Sequence, residues 1–252
     1  MTTRFKYGMV GGGPDSMVGP LHRKAIAMDG SAGLAAGVFS GTYAKTIATG
    51  SSLGLPEDRC YHDYSEMAVS EAARPDGIDF VVVVTPNTTH YPICRAFLEA
   101  GIHVVCDKPL ALTAEECIGL KRLSEEKHLL FMVTYTYMGN VTAKHAREFI
   151  AAGGIGEIHT VMAEYPQSWL ARPGDIGGKQ GAWRQNPAIG GRTNALGDIG
   201  THIEYLAAFM TGLKIHSLLA KMERAVPGRV LDDNDFVMVR YDNGATGMYW
   251  AS

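Results

Sequence analysis

A short apolar segment, Phe5 to Val10, runs straight into Gly11-Gly12-Gly13, and a helical pattern opens at Gly19. A buried strand that turns into a helix through glycines starts a βαβ unit, because only residues without a Cβ make so tight a turn. The rest of the first half keeps that rhythm. Gly19 to Asp29 has a helical pattern, Leu34 to Phe39 is a second apolar strand, and Thr42 to Leu53 is a weaker helix interrupted by Gly50. Ile78 to Thr85 is almost continuously β-branched, as a strand buried on both faces requires. Thr88 to Ala100 is a helix stopped by Gly101, His103 to Cys106 a strand, Thr113 to Lys127 a helix, and Leu129 to Tyr135 a strand. Thr113 and Glu116 stand at capping-box spacing. This alternation predicts an α/β fold, with a parallel sheet covered by helices on both faces.

Beyond Thr136 the pattern changes. Val141 to Ala152 reads as a helix, Glu157 to Gln167 as a half-exposed strand, and Trp169 to Asn194, rich in Gly, Pro and Arg, as an irregular loop. A helix follows from about Asp198 to Thr211, then strands over Ile215 to Val226, Phe236 to Tyr241 and Ala245 to Trp250. Asp242-Asn243-Gly244 is a hairpin signal between the last two. The prediction is therefore two domains, residues 1–136 and an α+β domain over 137–252 whose strands are mostly antiparallel.

Composition narrows the partners. With 23 basic and 26 acidic residues the net charge is −3, and no block of like charge appears, so nucleic acid and anionic membranes are disfavoured. The longest strongly apolar run, Phe80 to Val84, is far too short to span a bilayer, and no signal-peptide pattern opens the chain. Cys60, Cys94, Cys106 and Cys117 are scattered without C-x-x-C spacing, which suggests neither a zinc site nor a disulfide framework. The expectation is a cytoplasmic protein acting on small molecules, with no metal.

Gly11-x-Gly13 followed by Gly19 is a stretched form of the G-x-G-x-x-G loop, in which backbone N–H groups and a helix N-terminus receive a pyrophosphate. Taken alone, the same glycines also suit a turn with no ligand; their place after the first strand favours the nucleotide. The second strand ends in Phe39-Ser40-Gly41-Thr42, with Lys45 one turn on, where an NAD enzyme usually carries an acid for the ribose. Ser40, Thr42 and Lys45 lean toward the 2′-phosphate of NADP, while the lack of an arginine leaves NAD open. Thr85-Pro86-Asn87 and Asp107-Lys108-Pro109 end the next two strands, at the sheet edge where doubly wound folds bind ligands. Asp198 and His202, spaced i, i+4, share a helix face. Placed near the helix start, His202 is biased toward the neutral imidazole a general base needs, although Asp198 pulls the other way.

Together these motifs resemble the glucose–fructose oxidoreductase / inositol dehydrogenase (Gfo/Idh/MocA) family of NAD(P)-dependent oxidoreductases. The resemblance rests on the glycine loop, on Cys106-Asp107-Lys108-Pro109-Leu110 in place of the family's E-K-P, and on Gly197-Asp198-Ile199-Gly200-Thr201-His202. Thr85-Pro86-Asn87 and Trp183-Arg184 fit as well. It implies a Rossmann nucleotide domain and catalytic roles for Lys108, Asp198 and His202. Tyr137, Trp169, Trp183 and Arg184 are the candidates for substrate contacts, though aromatic burial explains Tyr137, Trp169 and Trp183 equally well. Asp107 replaces the usual Glu, and the glycine loop is longer than the family pattern.

The expected reaction is hydride exchange between a nicotinamide and a secondary alcohol of a sugar, inositol or related polyol. Two alternatives stand beside it: redox-assisted elimination or glycoside cleavage on the same scaffold, and a silent nucleotide-binding sensor. The chain stops at Ser252 in an apolar strand. That predicts a second domain incomplete at its C-terminus, with unpaired edges on the Tyr241 and Trp250 strands. The resemblance also implies a homo-oligomer at full length.

Overall fold

The computed structural model describes residues 5–168, 170–177 and 179–252. The chain forms two compact units, Met1–Thr134 and Tyr135–Ser252.

The first unit is built on β1 (Phe5–Gly11), β2 (Ala32–Val38), β3 (Phe80–Val84), β4 (His103–Cys106) and β5 (Phe131–Val133). They form one sheet in the order β2-β1-β3-β4-β5, and every pairing is parallel. Between them run α1 (Val18–Ala27), α2 (Tyr43–Ser52), α3 (Tyr64–Ala73), α4 (His90–Glu99) and α5 (Ala114–Glu126). The β-branched run behaves as its composition requires: Val81, Val82 and Val83 are all fully buried, Val81 and Val83 in one core and Val82 in the other. Burying a valine this completely contributes about 1.5–3 kcal/mol. Thr113 caps α5 by accepting from Glu116 N at 3.2 Å, while Glu116 reaches back to Leu112 N at 3.1 Å.

Two local readings change. Gly50 does not interrupt α2; a Cβ there would stand 2.2 Å from Cys60 Sγ, so the glycine lets the helix lie against Cys60. The sequence pattern predicts no element over 54–77, yet α3 forms there, capped by Asp63. Its buried stripe includes a carboxylate: Glu71 accepts from Arg59 Nη2 at 2.8 Å, Tyr61 Oη at 2.6 Å and Ile78 N at 3.2 Å.

In the second unit, α6 (Val141–Ala151) leads to β6 (Thr160–Tyr165). The stretch read as an irregular loop contains a 3₁₀ turn over Pro173–Gly177 and two short helices, α7 (Lys179–Arg184) and α8 (Pro187–Gly190). A π-helical turn, Leu196–Gly200, runs into α9 (Thr201–Thr211), followed by β7 (Ile215–Glu223), β8 (Asn234–Tyr241) and β9 (Thr246–Ala251). The sheet order is β6-β9-β8-β7. β7–β8 and β8–β9 are antiparallel, but β6 runs parallel to β9, so the sheet is mixed. The strands of Tyr241 and Trp250 occupy the centre, flanked on both sides, contrary to the unpaired edges predicted for them. One face packs Val237, Val239, Tyr241 and Tyr249 against Ile199, Ile203 and Ala207. Across the other face, Met162, Met248, Met238 and Leu219 stand opposite one another in register, all exposed.

Candidate active site

In the first unit the candidate residues gather at the C-terminal ends of the strands. Gly11 and Gly12 adopt φ of +89° and +73°, conformations that L side chains rarely take. A Cβ on Gly13 would meet the Phe39 carbonyl oxygen at 2.6 Å, and one on Gly19 would meet Gly12 Cα at 2.4 Å. These glycines therefore press the start of α1 onto the end of β1. Arg23 Nη1 donates to Gly12 O at 2.8 Å, and Gly19 N donates to Ser16 Oγ at 3.0 Å. Gly12, Ser16 and Arg23 were not singled out by the motif, because what marks them is loop geometry.

At the end of β2, Ser40 Oγ accepts from Thr42 N at 3.2 Å, and Thr46 Oγ1 donates to Ser40 O at the same distance. Thr42 and Lys45 are exposed. Buried Thr46 thus shapes the turn that presents the three polar side chains.

Thr85, Pro86 and Asn87 follow β3 in a tight turn, where Thr89 Oγ1 donates to Pro86 O at 2.7 Å. After β4, Asp107 Oδ1 lies 2.8 Å from His22 Nε2 and accepts from Thr134 Oγ1 at 2.7 Å. Burial pushes the Asp107 carboxyl up, but the hydrogen bond and charge of His22, helped by Thr134, outweigh it and hold the group below the usual carboxylate range. Asp107 thereby fixes the segment that carries Lys108 and Pro109. The peptide between those two is cis.

In the second unit, Asp198 sits in the π-helical turn and Oδ2 accepts from Arg184 Nε at 3.0 Å. The Arg184 guanidinium also lies 4.3 Å from the Trp183 ring centroid. The turn is anchored from afar: Asp232 accepts from Asn194 N and Leu196 N, both at 2.9 Å. Asp198 also lines a cavity of about 340 Å³ with Gln167, Asn194, Asp233 and Asn234.

His202 is surrounded by tyrosines. Its ring lies 4.8 Å from that of Tyr137, 5.8 Å from Tyr135 and 6.5 Å from Tyr165. The Tyr137 and Tyr165 hydroxyls meet at 2.5 Å; burial, then this bond, pushes Tyr137 up to about 12. Tyr135 and Tyr165 were missed, since no spacing links residues on separate elements. One electrostatic expectation changes. The π-helical turn precedes Thr201, so His202 stands beyond the first helical turn, where the macrodipole effect has faded. Trp169 lies outside the described residues. Among the described residues no group of three His, Cys, Asp or Glu is placed to hold a metal ion. None of their helices is long and apolar enough to cross a membrane.

Residues 5–135 match the model described as "Oxidoreductase family, NAD-binding Rossmann fold", and residues 143–252 match the GFO/IDH/MocA C-terminal domain. The uncharacterized oxidoreductase YfiI of Bacillus subtilis is 41% identical, over 98% of this chain and 64% of its own length. Levoglucosan dehydrogenase of Pseudarthrobacter phenanthrenivorans is 32% identical, over 69% of this chain and 48% of its own. An inositol dehydrogenase homologue from Azotobacter vinelandii, solved with NAD+, superposes with a TM-score of 0.95 at 38% identity, covering 100% of this chain and 65% of that one. The same homologue solved with NADH and myo-inositol gives 0.92, with the same coverage. The chain thus spans just under two thirds of the length of YfiI and of the Azotobacter protein.

Proposed function

The chain belongs to the Gfo/Idh/MocA oxidoreductase family, and from that premise we propose that it exchanges hydride between a nicotinamide and a secondary alcohol of a sugar, inositol or related polyol. The observation that carries this reading is the setting of His202: an imidazole within a ring of tyrosines, in the same helical stretch as an aspartate held by an arginine. Hydroxyl-rich walls suit a polyol, and an imidazole suits removal of one hydroxyl proton.

The glycine loop fits a dinucleotide, since the positive φ of Gly11 and Gly12 brings bare backbone to the N-terminus of α1. Bound there, the nicotinamide supplies the hydride acceptor or donor. Gly11, Gly13 and Gly19 would receive the pyrophosphate, and Thr85, Pro86, Asn87, Asp107, Lys108 and Pro109 would border the nicotinamide end. Ser40, Thr42 and Lys45 favour NADP over NAD, because the turn after β2 offers hydroxyls and a cation where an NAD site would place an acid.

In oxidation His202 takes the hydroxyl proton. Lys108 stabilises the alkoxide that develops as the proton leaves, an oxyanion-type role. Asp198 orients substrate or imidazole. Tyr137, Trp183 and Arg184 shape the pocket. The exposed row Met162, Met248, Met238 and Leu219 supports a second copy of the chain as the partner for that sheet face. The test is the absorbance of reduced nicotinamide when the full-length protein meets NADP+ or NAD+ and a panel of inositols, aldoses and anhydrosugars. Turnover with at least one polyol is expected. Binding of nucleotide without turnover on any of them would favour a sensor and overturn the proposal.

A further inference from the structure

His90 is the first residue of α4 and is almost completely buried. It lies in neither the glycine loop nor the Lys–Pro segment, yet its ring touches two of the strand-end loops at once. Nδ1 lies 2.8 Å from the Pro109 carbonyl oxygen, and Nε2 lies 2.8 Å from the Thr85 carbonyl oxygen. The first contact reaches the carbonyl of Pro109, the residue after Lys108, and the second the carbonyl of Thr85; both oxygens can only accept, so the ring holds the two at once only with an N–H on each nitrogen. Both segments leave the sheet at the ends of β3 and β4; ladder pairing reaches Asp107, whose N donates to Val83 O at 3.0 Å, and the carbonyls of Thr85 and Pro109 lie beyond it. A rigid aromatic ring is suited to setting the distance between them, since its two nitrogens cannot move independently.

We propose that His90 is a positioning residue: through one rigid ring it holds the Thr85 turn at the cofactor and the loop that carries Lys108. This rests on the roles proposed above for Thr85 and Lys108. The two edges of the ring have different conservative mimics. The amide nitrogen of Asn occupies roughly the place of Nδ1, and that of Gln roughly the place of Nε2. His90→Asn therefore keeps the tie to Pro109 and loses the one to Thr85. His90→Gln does the reverse.

The experiment measures nucleotide Kd and kcat in the full-length enzyme for wild type, His90→Asn, His90→Gln and Lys108→Ala. His90→Asn should weaken nucleotide binding with kcat nearly kept. His90→Gln should raise the nucleotide Kd less than His90→Asn does and lower kcat more, by about 10- to 100-fold, the scale of a catalytic group misplaced by a fraction of an ångström to an ångström. Added to Lys108→Ala, the Gln substitution should cost little more, because groups acting through one another are not additive. Equal effects of Asn and Gln on both constants, or full additivity with Lys108→Ala, would overturn the inference. If Lys108→Ala itself leaves kcat unchanged, it is the role of Lys108 that fails, and the Asn variant's effect on Kd still decides the Thr85 arm. Should either variant not fold, the ring ¹⁵N resonances of His90 in the wild-type protein decide: both should shift when nucleotide binds, and silence at both would overturn the proposal.

Discussion

Arg184 Nε donates to Asp198 Oδ2 at 3.0 Å, and both side chains are largely withdrawn from water. The two residues come from separate elements, α7 and the π-helical turn, so this bond also fixes one element on the other. A charge-assisted bond at a partly buried site contributes on the order of 1.5–3 kcal/mol.

Removing the arginine should therefore do more than lose a charge. Arg184→Leu is expected to lower kcat/KM by about 10- to 100-fold, as Asp198 loses its orientation. Arg184→Lys should recover only part of that, because an ammonium lacks the planar guanidinium that both meets the carboxylate and stacks on Trp183. Steady-state kinetics of the three proteins check this; full recovery by lysine would mean that only charge matters here.

His202→Ala should reduce kcat by about 10²- to 10⁴-fold, the usual contribution of a general base. Nucleotide affinity should hardly change, because the His202 ring packs against Tyr135, Tyr137 and Tyr165 of the second unit. Equilibrium titration alongside turnover separates the two effects. Near-full turnover would remove His202 from the mechanism.

What the sequence revealed and what it hid divide along one physical line. The β-branched run ending at Val84, the Thr113 cap and the hairpin at Asn243-Gly244 are local signals, and all three are present in the fold. Asp198 and His202 were proposed from the resemblance, and their i, i+4 spacing falls on one continuous helical stretch. By contrast, the parallel pairing of β6 with β9 joins strands more than eighty residues apart, and no local pattern encodes it. The same holds for α3, whose buried Glu71 reads as surface until Arg59 and Tyr61 are seen beside it. His90 was invisible for a related reason: its partners are carbonyl oxygens, which every residue carries. The π-helical turn before Thr201 depends on Asp232, some forty residues downstream.

Lys108→Ala is expected to cost on the order of 3 kcal/mol of transition-state stabilisation, seen in kcat, by analogy with the loss of an oxyanion donor. Lys108→Arg should rescue little, since a planar, fork-shaped cation cannot replace a compact point charge. Kinetics with the best polyol substrate test both.

Cofactor choice rests on the turn after β2. Competition between NADPH and NADH is expected to favour NADPH, and Lys45→Glu should reverse the order by removing the cation nearest the proposed 2′-phosphate. Fluorescence titration measures both constants. A tenfold or greater preference for NADH in the wild-type protein, about 1.4 kcal/mol, would show that Ser40, Thr42 and Lys45 do not form a phosphate site.

The last expectation concerns Asp235, a carboxyl sealed from solvent next to Asp232. Burial, then the hydrogen bond and charge of Asp232, pushes it up to about 8. In the unfolded chain the same group titrates near about 3.9. Between those values the folded protein binds a proton that the unfolded chain lacks. The stabilisation from this group is therefore complete below about pH 4 and is lost as the pH climbs through about 8. Asp235→Asn keeps a hydrogen-bond donor beside Asp232 and removes the titration. The difference in Tm, variant minus wild type, should grow more positive between about pH 4 and about pH 8 and level off above that. Because Asp232 holds the turn that carries Asp198, the wild type should also lose kcat at the alkaline end more steeply than the variant. Parallel melting curves, with the same pH dependence in both proteins, would show that Asp235 ionises without consequence for the fold.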